Sequence, residues 1–254
     1  MNKPFVFVFA FVAAVCCAYP EGDLIKNLPG IDNSQINFRQ YSGYVTINPN
    51  TNKRFFYWFV ESQGNPMKDP VLLWLNGGPG SSSLIGFFVE HGPFRVTKDG
   101  KNLTINPYSW NRIANIIYVE SPAFVGFSKS DSEADRKSGD ESTSADNFKF
   151  IQEWMKLYPE FRQNDFYITG ESYGGHYIPQ LAQRILHEDY KHEINMKGFM
   201  LGNPAFNADF YELGTADAKV DAWNFVTYMY SHGYIPHDLY ADCVQACEWG
   251  DYMK

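Results

Sequence analysis

The sequence predicts an α/β protein with a mostly parallel central sheet and helices on both faces. Continuous apolar runs, typical of strands that are covered on both sides, occur at residues 71–75 and 115–119. Segments with helical spacing of apolar residues alternate with such runs, and a glycine-rich turn at 170–175 joins one strand directly to one helix. This β-α-β alternation indicates a parallel sheet, because parallel strands need a crossover connection.

The remaining strands are predicted from residue type and from the loops that bound them. Residues 44–47 and 55–60 are rich in β-branched and aromatic residues and flank a polar loop, which predicts an antiparallel hairpin. Residues 166–169 form the strand before the glycine-rich turn, and residues 198–201 form the next buried strand. The two continuous apolar runs are predicted to be central.

Helices are predicted between and after these strands. The polar stretch 131–146 predicts a surface loop, residues 142–144 offer N-cap hydroxyls to the helix that follows, and Pro159 lies just beyond its end. No buried strand is predicted after residue 206. The predicted helices are 145–158, 177–187, 217–229 and 237–249.

Composition and charge exclude several classes of protein. The chain has 254 residues, 17% aromatic residues and a formal net charge of −8, with no basic stripe. This balance argues against nucleic acid and against an anionic membrane surface as partners. The length suits one α/β domain.

The first 18 residues predict a cleaved signal peptide. Lys3 precedes an apolar run, and small residues close the segment at Ala18. The run is too short to cross a hydrocarbon core of about 30 Å, so a stable membrane anchor is the poorer interpretation. Entry into the secretory pathway makes Asn102, which starts a sequon ending at Thr104, a candidate glycosylation site, although sequons also occur by chance.

The cysteines and histidines give weaker indications. Cys243 and Cys247 remain once the first 18 residues are removed, and their spacing allows either a local disulfide or partners outside this chain. No metal site is predicted, because His187 and His192 are one residue too far apart for the two-histidine zinc motif.

Residues 170–174 form a Gly-x-Ser-x-Gly motif with Ser172 at its centre. The motif alone is a weak signal, but here it lies between a predicted strand and an amphipathic helix, where glycines relieve a tight turn. This context predicts that Ser172 is a nucleophile. The alternative is a glycine-rich turn whose serine only caps the helix.

A second glycine-rich loop, residues 76–82, follows the apolar run at 71–75. An acyl-transfer enzyme needs two backbone N–H groups aimed at the oxyanion, one just after the nucleophile and one from an upstream loop. Tyr173 and Gly78 are the candidates for these donors. A phosphate-binding loop is a poorer interpretation, because neither of its usual glycine patterns is present, and a purely structural turn is the other alternative. No cofactor is predicted.

Four ordered motifs resemble those of the serine carboxypeptidase family, the peptidase branch of the α/β-hydrolases. The motifs are WLNGGPGSS, FFVEHGPF, ESPAFVGFS and GESYGGHYIP. The resemblance implies an α/β-hydrolase core at residues 19–205 that is incomplete at its C-terminal side, followed by the start of a helical insertion at 206–254. It also implies that Ser172 is the nucleophile and that the N–H groups of Gly78 and Tyr173 form the oxyanion hole.

The resemblance further implies a substrate, namely a peptide or protein with a free C-terminus. In this family the terminal carboxylate is held by an Asn, a Gly and two acidic side chains, which match Asn76, Gly77, Glu90 and Glu171. Two carboxyl groups repel a carboxylate unless they hold protons, which burial and like charge both favour. The resemblance therefore implies exopeptidase activity at acidic pH in an extracellular, lysosomal or vacuolar protein.

The sequence departs from the family pattern in several places. Phe124 stands where the motif ESPAGVGFS has Gly, and Ser81 stands where a disulfide-forming Cys is common. The family's catalytic Asp and His follow the nucleophile on later loops, and no such pair is recognised after Ser172. His176 is expected to point along its own helix and away from the serine hydroxyl.

Three hypotheses follow. The first is the N-terminal part of a serine carboxypeptidase, which is either a fragment, the product of a truncated gene or one chain of a processed pair. In the last case a complementary C-terminal chain is expected to cover the sheet edge at residues 198–201. The second is a peptide-binding protein that keeps the carboxylate pocket and lacks the catalytic base. The third is an acyltransferase built on the same fold.

Overall fold

The computed structural model describes residues 19–205 and 216–246. The chain divides into two compact units, Met1–Pro204 and Ala205–Lys254, so the first unit ends one residue before the end of the predicted core. The predicted signal peptide and Cys247 lie outside the described residues. The pairing of Cys243 and Cys247 therefore stays a prediction.

The first unit is built on a six-stranded sheet. The strands of this sheet and of a separate ribbon are β1 Gln40–Asn48, β2 Lys53–Val60, β3 Val71–Leu75, β4 Phe94–Val96, β5 Leu103–Ile105, β6 Asn115–Val119, β7 Phe166–Glu171 and β8 Met196–Gly202. The spatial order is β1-β2-β6-β3-β7-β8. β2 pairs antiparallel with β1 and β6, whereas β6, β3, β7 and β8 run parallel. The predicted hairpin and the mostly parallel sheet are confirmed.

The parallel part of the sheet places three loops at one edge. β3 and β6 are buried at every residue, as expected for central strands, and β7 lies on the other side of β3. Because the carboxyl ends of parallel strands share one edge, the loops after β6, β3 and β7 meet there. The ribbon of β4 and β5 is not predicted from the sequence, because strands of three residues are too short to show alternation.

Two α-helices cover one face of this sheet, α1 Asp140–Leu157 and α2 Gly174–Glu188. Trp154 of α1 is fully buried there. The opposite face carries a second apolar cluster, in which Phe87 of the π-helical turn Gly86–Glu90 packs. Burial of each large apolar side chain stabilises the layers by about 1.5–3 kcal/mol. The sequence predicts helices on both faces. The structure has α-helices on one face and a short π-helical turn on the other.

Both α-helices begin earlier than the sequence predicts. α1 begins at Asp140, so the expected surface loop ends at Gly139, and the hydroxyl of Ser142 accepts a hydrogen bond from the Gly139 N–H at 3.0 Å. The expected N-cap at residues 142–144 is therefore wrong, and the first turn is acidic, which the helix dipole favours. α2 begins at Gly174, whereas its apolar spacing starts only at Tyr177.

β8 differs from the buried strand that its apolar sequence predicts. It is the last strand in the sheet order, and Phe199 and Met200 are 48% and 46% exposed. A continuous apolar run indicates a strand but does not reveal whether the strand has a neighbour on its far side.

The second unit contains two described helices, α3 Ala216–Ser231 and α4 His237–Ala246. They correspond to the predictions at 217–229 and 237–249, and the end of the latter prediction lies outside the described residues. Of the helices that the structure describes, none has the length and apolar character needed to cross a bilayer.

The contact of α2 with the neighbouring strands β3 and β7 provides a test of the packing. A Cβ atom added to Gly170 would lie 2.8 Å from the Leu75 carbonyl oxygen and 3.0 Å from Cγ1 of Ile178. Overpacking of this kind costs about 1–3 kcal/mol, so Gly170→Ala is expected to lower the free energy of unfolding by that amount in urea titrations at sub-micromolar protein.

Gly174 is the matched control for this substitution. A Cβ atom there would meet the same two groups at 3.7 Å and 4.0 Å, which is ordinary contact. Gly174→Ala is therefore expected to change the free energy of unfolding by less than about 1 kcal/mol. Equal losses in the two variants would contradict the packing argument.

Candidate active site

Ser172 lies at a tight turn between β7 and α2. Its φ is +55°, in the left-handed region that residues other than glycine rarely adopt. β7 ends at Glu171 and α2 begins at Gly174, so only two residues make the turn. The Ser172 N–H donates to the Gly202 carbonyl of β8 at 2.9 Å, which ties the turn to the neighbouring strand. This strained strand-to-helix geometry presents a serine side chain at the sheet edge.

The loop after β3 lies directly against this turn, and Gly77 is the point of closest approach. A Cβ atom on Gly77 would lie 2.7 Å from the Glu171 carbonyl oxygen and 2.8 Å from Cβ of Ser172, and it would overlap the Tyr173 nitrogen. Real Cβ atoms do not come so close to other atoms. Only glycine at position 77 allows the loop and the serine turn to meet.

Two backbone N–H groups, those of Gly78 and Tyr173, are available beside Ser172. Gly78 has a φ of +108°, a conformation that favours glycine, and it is exposed. Tyr173 precedes the first helical residue of α2. Within the described residues, neither N–H donates to another protein group. The structure thus brings both residues of the predicted oxyanion hole to the serine turn.

The four residues predicted to bind a carboxylate also come together. The amide Nδ2 of Asn76 donates to Oε1 of Glu90 at 2.8 Å and to Oε1 of Glu171 at 3.0 Å. The Gly77 N–H reaches Oε1 of Glu171 at 3.4 Å. Two carboxyl groups from different elements therefore share the amide group of Asn76. One of them, Glu171, directly precedes Ser172 in the sequence.

The orientation of the Asn76 amide is determined by its other contacts. Its Oδ1 accepts hydrogen bonds from the Trp74 indole N–H and from the Gly86 N–H, both at 2.9 Å. Because these donors occupy the oxygen, the NH₂ group must face Glu90 and Glu171. Asn76 is almost fully buried, so this arrangement leaves little freedom for the amide to turn.

A buried histidine supports the same region, and sequence reasoning did not identify it. His91, which is 6% exposed, stacks on Trp110 with ring centroids 4.1 Å apart and packs edge-on against Trp74 at 4.2 Å. Its Nδ1 is 3.1 Å from the Tyr118 hydroxyl. Burial, with a smaller contribution from Arg95, lowers the pKa of His91 to about 4. The only sequence signal was its place directly after Glu90.

A cavity of about 520 Å³ opens beside the carboxyl groups. Glu90 and Glu171 line it together with Trp74, His91, Trp110 and Met200. The carboxyl pair is therefore open to a ligand. Among the residues that the structure describes, no group of three or more potential ligands is placed to hold a metal ion.

His176, the histidine nearest to Ser172 in the sequence, is engaged elsewhere. Its Nδ1 lies 3.6 Å from Oδ2 of Asp140, and its ring stacks on Tyr173 with centroids 4.5 Å apart. Asp140 also accepts a hydrogen bond from the Tyr173 hydroxyl at 3.0 Å. This contact has no signal in the sequence, which predicts Asp140 in a surface loop. Within residues 19–204, no histidine makes a hydrogen bond to the Ser172 hydroxyl.

Of the residues that depart from the family pattern, Phe124 lies outside this cluster, as does the sequon, whereas Ser81 contacts Gly77 within the glycine-rich loop. Phe124 has a φ of +71°, and the Arg136 guanidinium lies 4.2 Å from the centre of its ring. The Ser81 N–H donates to the Gly77 carbonyl at 3.1 Å within the loop. Asn102 is exposed, and its N–H donates to Oγ1 of Thr97 at 3.1 Å. Its side chain is therefore accessible to glycosylation.

The neutral state of His91 predicts how stability depends on pH. The unfolded chain takes up a proton near the ordinary histidine pKa of about 6.5, whereas folded His91 does so only near 4. Its contribution to stability is therefore complete above about pH 6.5 and is lost as the pH falls toward 4, by up to about 3 kcal/mol. We expect His91→Gln to weaken this loss in urea titrations at pH 7 and pH 4.5.

The exposed His187 provides the matched control for this measurement. His187→Gln is expected to keep the pH dependence of the wild-type chain. A wild-type dependence that survives unchanged in His91→Gln would show that buried His91 does not contribute it.

Comparisons with known proteins identify the family to which the chain belongs. The profile of the serine carboxypeptidase family matches residues 29–253. Serine carboxypeptidase-like 20 from Arabidopsis thaliana is 42% identical over 262 residues, which cover 99% of this chain and 50% of the relative. Serine carboxypeptidase 24 from the same plant is 43% identical over 237 residues, which cover 90% and 48%.

A solved structure shows the same fold. Kex1(delta)p, a prohormone-processing carboxypeptidase from Saccharomyces cerevisiae, aligns with a TM-score of 0.66 at 26% identity, covering 86% of this chain and 48% of that one. The chain thus spans about half the length of the curated relatives it matches. It has an α/β-hydrolase fold and belongs to the serine carboxypeptidase family.

Proposed function

We propose that the chain carries the nucleophile and the carboxylate-binding residues of a serine-type carboxypeptidase that removes C-terminal residues from peptides and proteins at acidic pH. The observation that carries the proposal is that three features occur together at one edge of the sheet. They are the strained turn of Ser172, two available N–H groups, and the amide of Asn76 between two carboxyl groups.

In the proposed reaction the Ser172 hydroxyl attacks the carbonyl carbon of the last peptide bond. The hydroxyl proton passes to a base and then to the leaving amine, which departs as a free amino acid and leaves an acyl-enzyme that water hydrolyses. The N–H groups of Gly78 and Tyr173 donate hydrogen bonds to the carbonyl oxygen and stabilise the negative charge that develops on it. We propose that the base is a histidine oriented by an aspartate, and that neither of the two is among residues 1–254.

The restriction to the chain end is proposed to come from the carboxyl pair. Asn76 Nδ2 and the Gly77 N–H, which now donate to Glu90 and Glu171, are the natural donors to a substrate carboxylate. A carboxyl group that holds a proton becomes a donor to the same carboxylate, whereas an ionised one repels it. Substrate binding is therefore expected to weaken as the pH rises.

Matched peptides test this proposal. A peptide with a free C-terminus is expected to lose its last residue, as measured by mass spectrometry, whereas the same peptide with a C-terminal amide is not. Ser172→Ala should abolish release, and Asn76→Ala should lower kcat/KM by about 10²-fold, because it removes a buried donor to a charged group. Cleavage of both peptides at equal rates would contradict the role of the carboxyl pair.

Two further variants complete the experiment. Glu171→Gln presents an amide N–H at every pH, so the decline of kcat/KM with rising pH is expected to flatten, and an unchanged pH profile would contradict the proposed role of Glu171. Asn102→Gln lies outside the cluster and is expected to leave kcat/KM unchanged. The same variant should lose the glycan mass if Asn102 is modified.

A second candidate is a peptide-binding protein that retains the carboxylate site without turnover. It is favoured by the contacts of His176, which pair with Asp140 and Tyr173 instead of Ser172. Calorimetry separates the two candidates. Binding of a free-acid peptide with no released amino acid, by a chain that retains Ser172, would support the second candidate over the first.

We further propose that a complementary chain covers β8 in a protein of the secretory pathway, extracellular or in a lysosome or vacuole. This proposal is supported by the half-exposed Phe199 and Met200, and by an apolar groove of about 510 Å³ beside them that Leu72 and Tyr167 line. An uncovered apolar edge promotes association. The chain alone is expected to self-associate with rising concentration in size-exclusion chromatography, and a monomer at all concentrations would contradict this.

A further inference from the structure

The loop after β3 must be held in place by groups outside itself. Its residues 78–80 are exposed, and Gly78 and Gly80 have φ values of +108° and +87°. Glycine-rich backbone is conformationally free, and holding it in one conformation costs entropy. An oxyanion donor, however, is effective only within a few tenths of an ångström of its correct position. The hydrogen bond between Ser81 and Gly77 lies inside the loop and cannot fix it relative to Ser172.

Tyr177 of α2 holds one side of this loop. Its hydroxyl oxygen accepts a hydrogen bond from the Gly80 N–H at 3.2 Å. The side chain is 5% exposed and packs edge-on against Tyr173, so its position is well determined. Burial raises the pKa of Tyr177 to about 12, which keeps the hydroxyl neutral. Because α2 begins directly after Ser172, this contact ties the loop to the element that carries the nucleophile.

Glu120 holds the other side. Its carboxyl group, which is 1% exposed, accepts hydrogen bonds from the Ser82 hydroxyl and from the Phe127 N–H. The Ser82 oxygen in turn accepts the Leu84 N–H at 3.2 Å. A Cβ atom on Gly126 would overlap the carboxyl group, so glycine there makes room for it. A buried carboxyl group needs such donors, which makes its contact with the loop costly to break.

We propose that Tyr177 and Glu120 are positioning residues that hold the loop between them and thereby fix the Gly78 N–H opposite the Tyr173 N–H. Tyr177 belongs to α2, whereas Glu120 directly follows β6, which is a neighbour of β3 in the sheet. The catalytic part of this inference rests on the proposed function. Its structural part, the restraint of the loop, does not.

Tyr177→Phe is the principal test, because it removes one hydroxyl group and keeps the ring. The exposed Gly80 N–H can then bond to water, so stability should change little. Hydrogen exchange of the peptide that spans residues 76–82 is expected to become about tenfold faster. In the active protein, kcat should fall about tenfold with KM nearly unchanged, because the N–H of Gly78 acts only on the developing charge.

Tyr41→Phe is the matched control. Tyr41 is equally buried, and its hydroxyl donates to Glu61 at 3.1 Å, away from the loop. It is expected to lower the melting temperature while the exchange of residues 76–82 and kcat stay at wild-type values. Loss of kcat in proportion to lost stability in both variants would overturn the inference.

Ser82→Ala tests the second contact, since it removes the loop's donor to Glu120. It is expected to speed exchange in the same peptide and to lower kcat. Unchanged exchange in both Tyr177→Phe and Ser82→Ala would overturn the inference, and so would faster exchange with unchanged kcat. If the wild-type chain together with its complementary chain shows no turnover, the proposed function fails, and the exchange rates alone decide whether the loop is held as inferred.

Discussion

The close approach of Gly77 to the serine turn is the constraint on which the rest of the site depends. No side chain fits between the loop and the residues Glu171, Ser172 and Tyr173. This contact brings a strand end and a helix start within hydrogen-bonding distance, and the parallel order of β6, β3 and β7 makes the meeting possible. The loop after β3, the carboxyl pair and Ser172 therefore lie at one edge of the sheet, although they come from distant parts of the sequence.

The polar groups around this contact form one connected set. Trp74 and Gly86 orient the Asn76 amide, which in turn holds Glu90 and Glu171. A buried amide with all its donors and acceptors engaged is rigid, because turning it would leave several groups unpaired in a medium of low polarity. Glu90 and Glu171 are only partly buried, and these donors offset the cost of placing the two carboxyl groups side by side.

Much of this arrangement is predictable from the sequence. The strands of the six-stranded sheet, the hairpin, the serine turn and the position of the glycine-rich loop follow from local patterns, whereas the ribbon of β4 and β5 does not. Four residues expected at the carboxylate site, Asn76, Gly77, Glu90 and Glu171, do lie together. Their roles in binding remain a proposal, since a shared location does not establish a function.

The rest depends on contacts that have no local signal. Asp140 and Glu120 are acidic residues next to turns, which from sequence alone indicates a solvated position, yet one pairs with Tyr173 and the other is buried under Ser82. β8 has the sequence of a covered strand but is half-exposed. Partners distant in the sequence determine each of these outcomes. Residue type and spacing therefore cannot predict them.

The protonation state of His91 connects the packing around the site to the pH at which the site is proposed to work. A carboxyl pair that binds a carboxylate requires acid, and acid tends to unfold proteins whose buried histidines must take up a proton. His91 is enclosed by Trp74, Trp110 and Tyr118, and its pKa of about 4 keeps it neutral through mildly acidic conditions. The aromatic support beneath Glu90 therefore stays intact over the range in which the carboxylate site would act. That neutrality lowers stability, because between about pH 6.5 and pH 4 the unfolded chain takes up a proton that folded His91 does not, so the free energy of unfolding falls across the same acidic range.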